Sequence, residues 1–236
     1  MERAEPARAL MLELFPQGFE EIEHPDGLEL VAYTDDAGEE RLWAAFGEVR
    51  GDDVAADWDE RWREFHRPVR VGKLWIGPPW ETPPADALAV VIDPGRAFGT
   101  GAHATTRLCL ELLQEAEPTS LLDVGCGSGV LSVAAAKLGF GPITAVDLDE
   151  VALETTTANA AANGVSVAIG GELRRATLAV MNIALDVVER MLPGLPVERA
   201  ITSGYLERDT PRVERWDRLE RRVRDGWAAD LLEFRP

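Results

Sequence analysis

Apolar positions along the chain recur with two periods, and each period predicts a different element. Ala7, Leu10, Met11 and Leu14 stand three and four apart, which predicts a helix over 5–15 that Pro16-Gln17-Gly18 ends. Phe19 to Glu23 and Leu28 to Tyr33 read as strands around the turn His24-Pro25-Asp26-Gly27. Glu39 to Phe46 then reads as a helix and Glu48 to Arg50 as a short strand. The order helix, strand, strand, helix, strand predicts a small ferredoxin-like α+β module over residues 1–53 that lacks its first strand.

Residues 54–86 read as a linker with a helix and a strand of its own. Trp58, Trp62 and Phe65 share one helical face and read as a packing stripe; Val69 to Ile76 alternates as one strand; Pro78-Pro79 and Pro83-Pro84 act as stops. From residue 87 to 236 strands and helices take turns. Apolar strands are predicted at 88–92, 120–124, 143–148, 166–169, 178–183 and 200–204, with helices at 105–116, 129–138, 150–163 and 185–191. Alternation of this kind predicts a Rossmann-like α/β domain, a mainly parallel sheet covered on both faces. Leu219 to Arg224, Asp225-Gly226 and Trp227 to Phe234 read as a closing hairpin, so the last strand is expected to run antiparallel.

Composition narrows the chemistry. An apolar fraction of 46% over 236 residues supports a packed core. No apolar run approaches the ~20 residues that span a bilayer, and a cytoplasmic protein without a membrane partner is expected. Cys109 and Cys126 are too few for a disulfide framework and read as free thiols. The net charge of −18 opposes direct binding to nucleic acid and favours encounter with a basic protein. The only lysines, Lys73 and Lys137, stand outside any catalytic pattern. His24, His66 and His103 are scattered, so no metal site is expected.

The most informative residues are Asp123-Val124-Gly125-Cys126-Gly127-Ser128-Gly129 and, one strand later, Asp147. Three alternating glycines after an apolar strand permit a tight turn into a helix and close approach of a ligand. An acid at the end of the next strand can accept hydrogen bonds from both hydroxyls of a ribose. The glycine spacing is one residue tighter than a dinucleotide fold needs, and Val130 stands where that fold wants a small residue. Asp123, two residues before the first glycine, would repel a pyrophosphate and attract an ammonium group. S-adenosylmethionine carries such an amine and no phosphate. A dinucleotide site and a turn without ligand are the alternatives.

A longer stretch adds a resemblance. Val91-Ile92-Asp93-Pro94-Gly95-Arg96-Ala97-Phe98-Gly99-Thr100-Gly101-Ala102-His103-Ala104-Thr105-Thr106 resembles the signature of the bacterial methyltransferases that modify protein eleven of the large ribosomal subunit, the PrmA family. The likeness continues through Asp123 to Gly129, Asp147-Leu148-Asp149, Asn159 to Gly164, Met181-Asn182-Ile183 and Ser203-Gly204. It implies that Thr106, Gly125, Asp147 and Asn182 contact S-adenosylmethionine, with Gly127 and Asp123 beside them, and that Phe98, Gly99, Thr100 and Gly101 form a loop over it. It implies a class I methyltransferase domain that methylates lysine side chains and a terminal amine of a basic ribosomal protein, recognised by the amino-terminal module.

Asn182 is the candidate catalytic residue, its amide oxygen accepting the hydrogens of a substrate amine and aiming the lone pair. Ile183-Ala184 follows it, where base-modifying enzymes place two prolines and an aromatic for stacking, so an amine is favoured over a nucleobase. Thr106 and Asp149 also suit helix caps, and His103 suits either a base or a structural role. The stretch 164–179 is shorter than the family's, leaving little room for a helix. A catalytically decayed binding protein, a methyltransferase for another protein or a small-molecule amine, and a nicotinamide dehydrogenase are the competing functions. A monomer is expected.

Overall fold

Neighbouring residues in the central strands point to opposite faces of the sheet, and both faces are apolar. Leu121, Val180 and Ile201 belong to one buried cluster, while Leu122, Met181 and Ala200 belong to another. A strand apolar on both sides must be covered twice, which is the physical reason for helices on each face. The computed structural model describes residues 7, 10, 11, 14, 15, 20–24, 27–32, 34, 36–47, 49–51, 67–93, 101–170 and 173–235. The chain divides into two compact units, Met1–Trp58 and Asp59–Pro236.

In the first unit, β1 (Glu20–His24) and β2 (Gly27–Val31) pair antiparallel, and α1 (Asp36–Phe46) follows. Met11, Phe15 and Leu42 form its small core. Of the strand expected at 48–50, Glu48 lies outside the described residues, Val49 and Arg50 lie outside any strand, and Val49 packs instead against that core. Three residues without an alternating partner ladder have no driving force for extended pairing. Among the described residues the sheet of this unit has two strands. The stripe of Trp58, Trp62 and Phe65 lies outside the described residues.

The first described elements of the second unit form a three-stranded sheet of β3 (Val69–Val71), β4 (Leu74–Gly77) and β5 (Leu88–Val91). Residues 69–76 are therefore a hairpin and not one strand. Gly72, at φ +55°, supplies the left-handed backbone of its turn. β5 runs parallel to β4 and does not enter the main sheet, contrary to the expectation for residues 88–92. Asn163 occupies the edge where a further strand would pair: its Oδ1 accepts the Val91 N–H at 2.9 Å and its Nδ2 donates to the Val91 carbonyl at 2.6 Å.

The main sheet contains β6 (Leu121–Val124), β7 (Ile143–Val146), β8 (Ala168–Ile169), β9 (Leu178–Asn182), β10 (Arg199–Leu206), β11 (Trp216–Arg224) and β12 (Trp227–Phe234). Their order across the sheet is β11, β12, β10, β9, β6, β7, β8. The pairings among β6 to β10 are parallel, and β12 inserts antiparallel between β10 and β11. This is the expected seven-stranded Rossmann-like sheet, with the closing hairpin starting earlier, at Trp216. α2 (Ala104–Glu115) and α3 (Val130–Lys137) cover one face, α5 (Leu185–Met191) the other, and α4 (Glu150–Ala162) connects β7 to β8. No helix interrupts the described residues between β8 and β9.

Candidate cofactor and transfer site

The turn from β6 to α3 is built from backbone that only glycine tolerates. Gly125, Gly127 and Gly129 have φ of +77°, +54° and +78°. Each is left-handed, where a Cβ is strained. Space is also closed: a Cβ on Gly125 would stand 2.4 Å from Ile183 Cγ2, and one on Gly129 2.8 Å from Thr156 Cγ2.

Neighbouring elements brace this turn, which also closes on itself through the Gly129 N–H donating to the Cys126 carbonyl at 2.8 Å. The N–H groups of Gly125 and Cys126 donate to the Val146 carbonyl, and the Gly127 N–H donates to Asp147 Oδ2 at 3.0 Å. Thr156 Oγ1 donates to the Gly127 carbonyl at 3.0 Å, and Asn159 Nδ2 to the Ser128 carbonyl at 2.9 Å. Asp147 Oδ1 accepts the Asp149 N–H at 3.1 Å. Each oxygen of Asp147 thus holds one backbone donor and keeps a lone pair for another.

Asp123 is 1% exposed at the end of β6. Ser132 Oγ donates to its Oδ2 at 2.6 Å, while its Oδ1 is buried without a hydrogen-bond partner. Burial pushes this carboxyl up to about 6, the Ser132 hydrogen bonds opposing and the Asp147 charge adding to the rise. A buried carboxylate with an orphan oxygen is costly by itself and is relieved by a cation.

Asn182 ends β9, and its Nδ2 donates to Thr106 Oγ1 at 3.2 Å. That bond leaves its amide oxygen for another donor. Thr106 does not cap α2. The cap is His103, whose Nδ1 accepts the Thr105 N–H at 3.4 Å and meets Thr105 Oγ1 at 2.8 Å, with its ring edge-on to Trp227 at 4.9 Å. His103 accordingly has a structural role in these contacts. Asp149 caps α4, its Oδ1 accepting the Val151 N–H at 2.9 Å.

Gly101 is buried at φ +87°. Phe98, Gly99 and Thr100 lie outside the described residues. The loop they belong to is anchored at its start: the Asp93 N–H donates to Asn159 Oδ1 at 2.9 Å, and Asn159 Nδ2 also lies 3.2 Å from the Asp93 carbonyl. One side chain therefore ties the loop's origin to the glycine turn. Nothing in the sequence alone assigns a task to Asn159 or Asn163. The signal is physical at Asn159, an asparagine inside a helix, where the residue is unfavourable unless its amide is used; Asn163 is the C-cap of the same helix. Thr156 had no such signal.

The two thiols are free and buried. Burial first, then the Asp123 charge, pushes Cys126 up to about 12 and Cys109 higher still. Among the described residues no cluster of His, Cys, Asp and Glu can hold a metal, and no helix is long and apolar enough to cross a membrane.

The family described as "Ribosomal protein L11 methyltransferase (PrmA)" matches residues 31–229. The chain belongs to this family. A ribosomal protein L11 methyltransferase of Parasynechococcus marenigrum (strain WH8102) is 43% identical over 188 residues, 69% of this chain and 65% of its own length. One from Legionella pneumophila subsp. pneumophila (strain Philadelphia 1) is 42% identical over 170 residues, 66% and 59% of the two lengths. In both cases the chain spans less than two thirds of the relative. The crystal structure of a ribosomal protein L11 methylase from Lactobacillus delbrueckii subsp. bulgaricus is similar with a TM-score of 0.64 and 26% identity, over 72% of this chain and 100% of that one. The PrmA-family match includes the glycine turn, Asp147, Asn159 and Asn182, and the sheet is that of a class I methyltransferase.

Proposed function

We propose that the chain is an S-adenosylmethionine-dependent protein N-methyltransferase whose substrate is ribosomal protein L11, a basic protein of the large subunit. The observation that carries the cofactor is Asp123, buried two residues ahead of the glycine turn with one oxygen lacking a partner. An ammonium group satisfies that oxygen and a pyrophosphate does not, which favours the methionine amine over a dinucleotide. The bound cofactor supplies a methyl group on a sulfonium, already activated for displacement.

The remaining tasks fall to the chain's own residues. Asp147 offers its spare lone pairs to the ribose hydroxyls. Leu148, fully exposed beside it, offers an apolar surface for an adenine ring. Phe98, Gly99, Thr100 and Gly101 contact the ligand in this reading, Gly101 being left-handed at φ +87°. Asn182, held by Thr106, presents its amide oxygen to the substrate amine and orients the nitrogen lone pair. A lysine amine has an unperturbed pKa of ~10.4, so the site must favour its neutral form, which desolvation does. Orientation supplies much of the rate.

Residues 1–53 are the substrate-recognition module in this reading, residues 54–86 the linker and 87–236 the methyltransferase domain. Lysine side chains and the terminal amine are the methylated groups, and the chain's net charge of −18 raises its encounter rate with a basic protein. The place of action is the cytoplasm, where the ribosomal protein is made. Thermal melting tests the cofactor: S-adenosylhomocysteine is expected to raise the melting temperature and NAD to leave it unchanged, and the reverse would overturn the methyl-donor reading.

A further inference from the structure

Strand β10 carries a bulge next to the transfer site. Its ladder to β12 shifts between Ser203 and Tyr205, leaving Gly204 as the extra residue at φ +101°. A Cβ on Gly204 would stand 2.2 Å from the Ile183 carbonyl oxygen, so the two backbones touch. The Ser203 carbonyl accepts the Ile183 N–H at 3.0 Å. The bulge therefore sets where the chain leaves β9, immediately after Asn182.

A buried polar cluster spans that bulge from behind. Tyr205 is 3% exposed, and its hydroxyl donates to Asp230 Oδ2 at 2.8 Å. The Tyr205 hydroxyl oxygen also lies 2.7 Å from Thr202 Oγ1 and 3.0 Å from the Thr202 carbonyl. Thr202 and Tyr205 flank Ser203-Gly204, so the phenol bridges the two ends of the bulge. Asp230 is fully buried on β12, with Arg221 at 3.4 Å and Arg218 at 3.6 Å. Arg221 also donates to the Glu207 and Asp209 carbonyls, fixing the chain that leaves β10. Buried charges held this way are weak devices for stability, and an apolar pair of equal volume often does as well. Their use lies in specifying one geometry.

We propose that Tyr205 and Asp230 are positioning residues for methyl transfer, the phenol and carboxylate holding the Gly204 bulge so that Asn182 and Ile183 keep their place. This rests on Asn182 being the amine-recognition residue. The polar partners of the two residues are Thr202, Arg218, Arg221 and each other, none of them in the glycine turn or at Asp147 or Thr106, so the effect on the cofactor and on turnover should separate.

Tyr205→Phe removes one oxygen and keeps the ring. It is expected to lower kcat between about tenfold and a hundredfold at a temperature well below its melting point. Its affinity for S-adenosylhomocysteine by calorimetry is expected to stay within about twofold, and the side-chain amide resonances of Asn182 to shift. Asp230→Asn should lower kcat in the same way, and the double variant should lose no more than the worse single one. If Asp230→Asn does not fold, Tyr205→Phe alone carries the test. Unchanged kcat with only a lower melting temperature in Tyr205→Phe would overturn the proposal. Full turnover in Asn182→Ala would instead overturn the reading beneath it.

Discussion

Asp147 reaches across the turn to Gly127, its Oδ2 accepting the glycine N–H at 3.0 Å. The acid proposed to take the ribose thus also clamps the glycine turn, and the two tasks would use different lone pairs of one carboxylate. Removing it costs both. Asp147→Ala is expected to weaken S-adenosylhomocysteine binding by at least about a hundredfold, the scale of losing a charge-assisted hydrogen-bond pair. Asn182→Ala should bind the nucleoside within a fewfold and lose turnover. Calorimetry and a single-turnover methylation assay on both variants check this split. Intact transfer in Asn182→Ala would reduce that residue to a structural role.

Asp123 makes stability and binding depend on pH in opposite senses. Its folded value of about 6 lies above the 3.8 of the free carboxyl. The folded state therefore holds the proton more tightly, and its contribution is fully present below about pH 4 and lost as pH rises through 6. A rise from 3.8 to about 6 corresponds to about 3 kcal/mol of stability lost from this one group. Urea unfolding from pH 4 to 7 should show that component in the parent protein and lack it in Asp123→Asn. An ammonium ligand selects the ionised acid, so affinity for S-adenosylhomocysteine should fall about tenfold per unit below pH 6. The variant should bind more weakly and without that dependence.

Asn163→Ala would leave both the N–H and the carbonyl of Val91 without their partner at the open edge of β5. About 2 kcal/mol of stability should go with them, the cost of partly buried backbone groups left unpaired. Asn159→Ala should cost a similar amount and in addition loosen the origin of the loop at Asp93. Hydrogen exchange at the Val91 and Asp93 amides separates the two, and a denaturation curve gives the size.

Gly204→Ala should be worse than its one added carbon implies. The Cβ would enter the Ile183 carbonyl and the backbone is left-handed, so roughly 3 kcal/mol of destabilisation is expected from chemical denaturation. A loss under about 1 kcal/mol would mean that the bulge is not the rigid feature described.

How much of this was legible depended on range. The elements from residue 104 onward follow local patterns, alternating apolar runs and 3.6-residue stripes, and the predicted helices agree with α2 to α5 within a residue or so at their ends. The glycine turn and Asp147 were legible for the same reason, since each needs a residue type that little else explains. What failed was pairing at a distance. Nothing local to Leu88–Val91 says that its free edge is closed by Asn163, the C-cap of a helix far along the chain. Gly72 sits inside an alternating run, and only its positive φ turns that run into a hairpin. The burial of Asp123 and the Tyr205–Asp230 pair arise from packing of separate strands, and neither residue's own neighbourhood announces it.

Mass spectrometry of purified ribosomal protein L11, after incubation with this protein and S-adenosylmethionine, tests the central claim most directly. Added methyl groups on lysine side chains or the terminal amine are predicted, absent with Asn182→Ala. Unmodified L11 from folded protein that binds the nucleoside, or methyl label appearing in RNA, would contradict it.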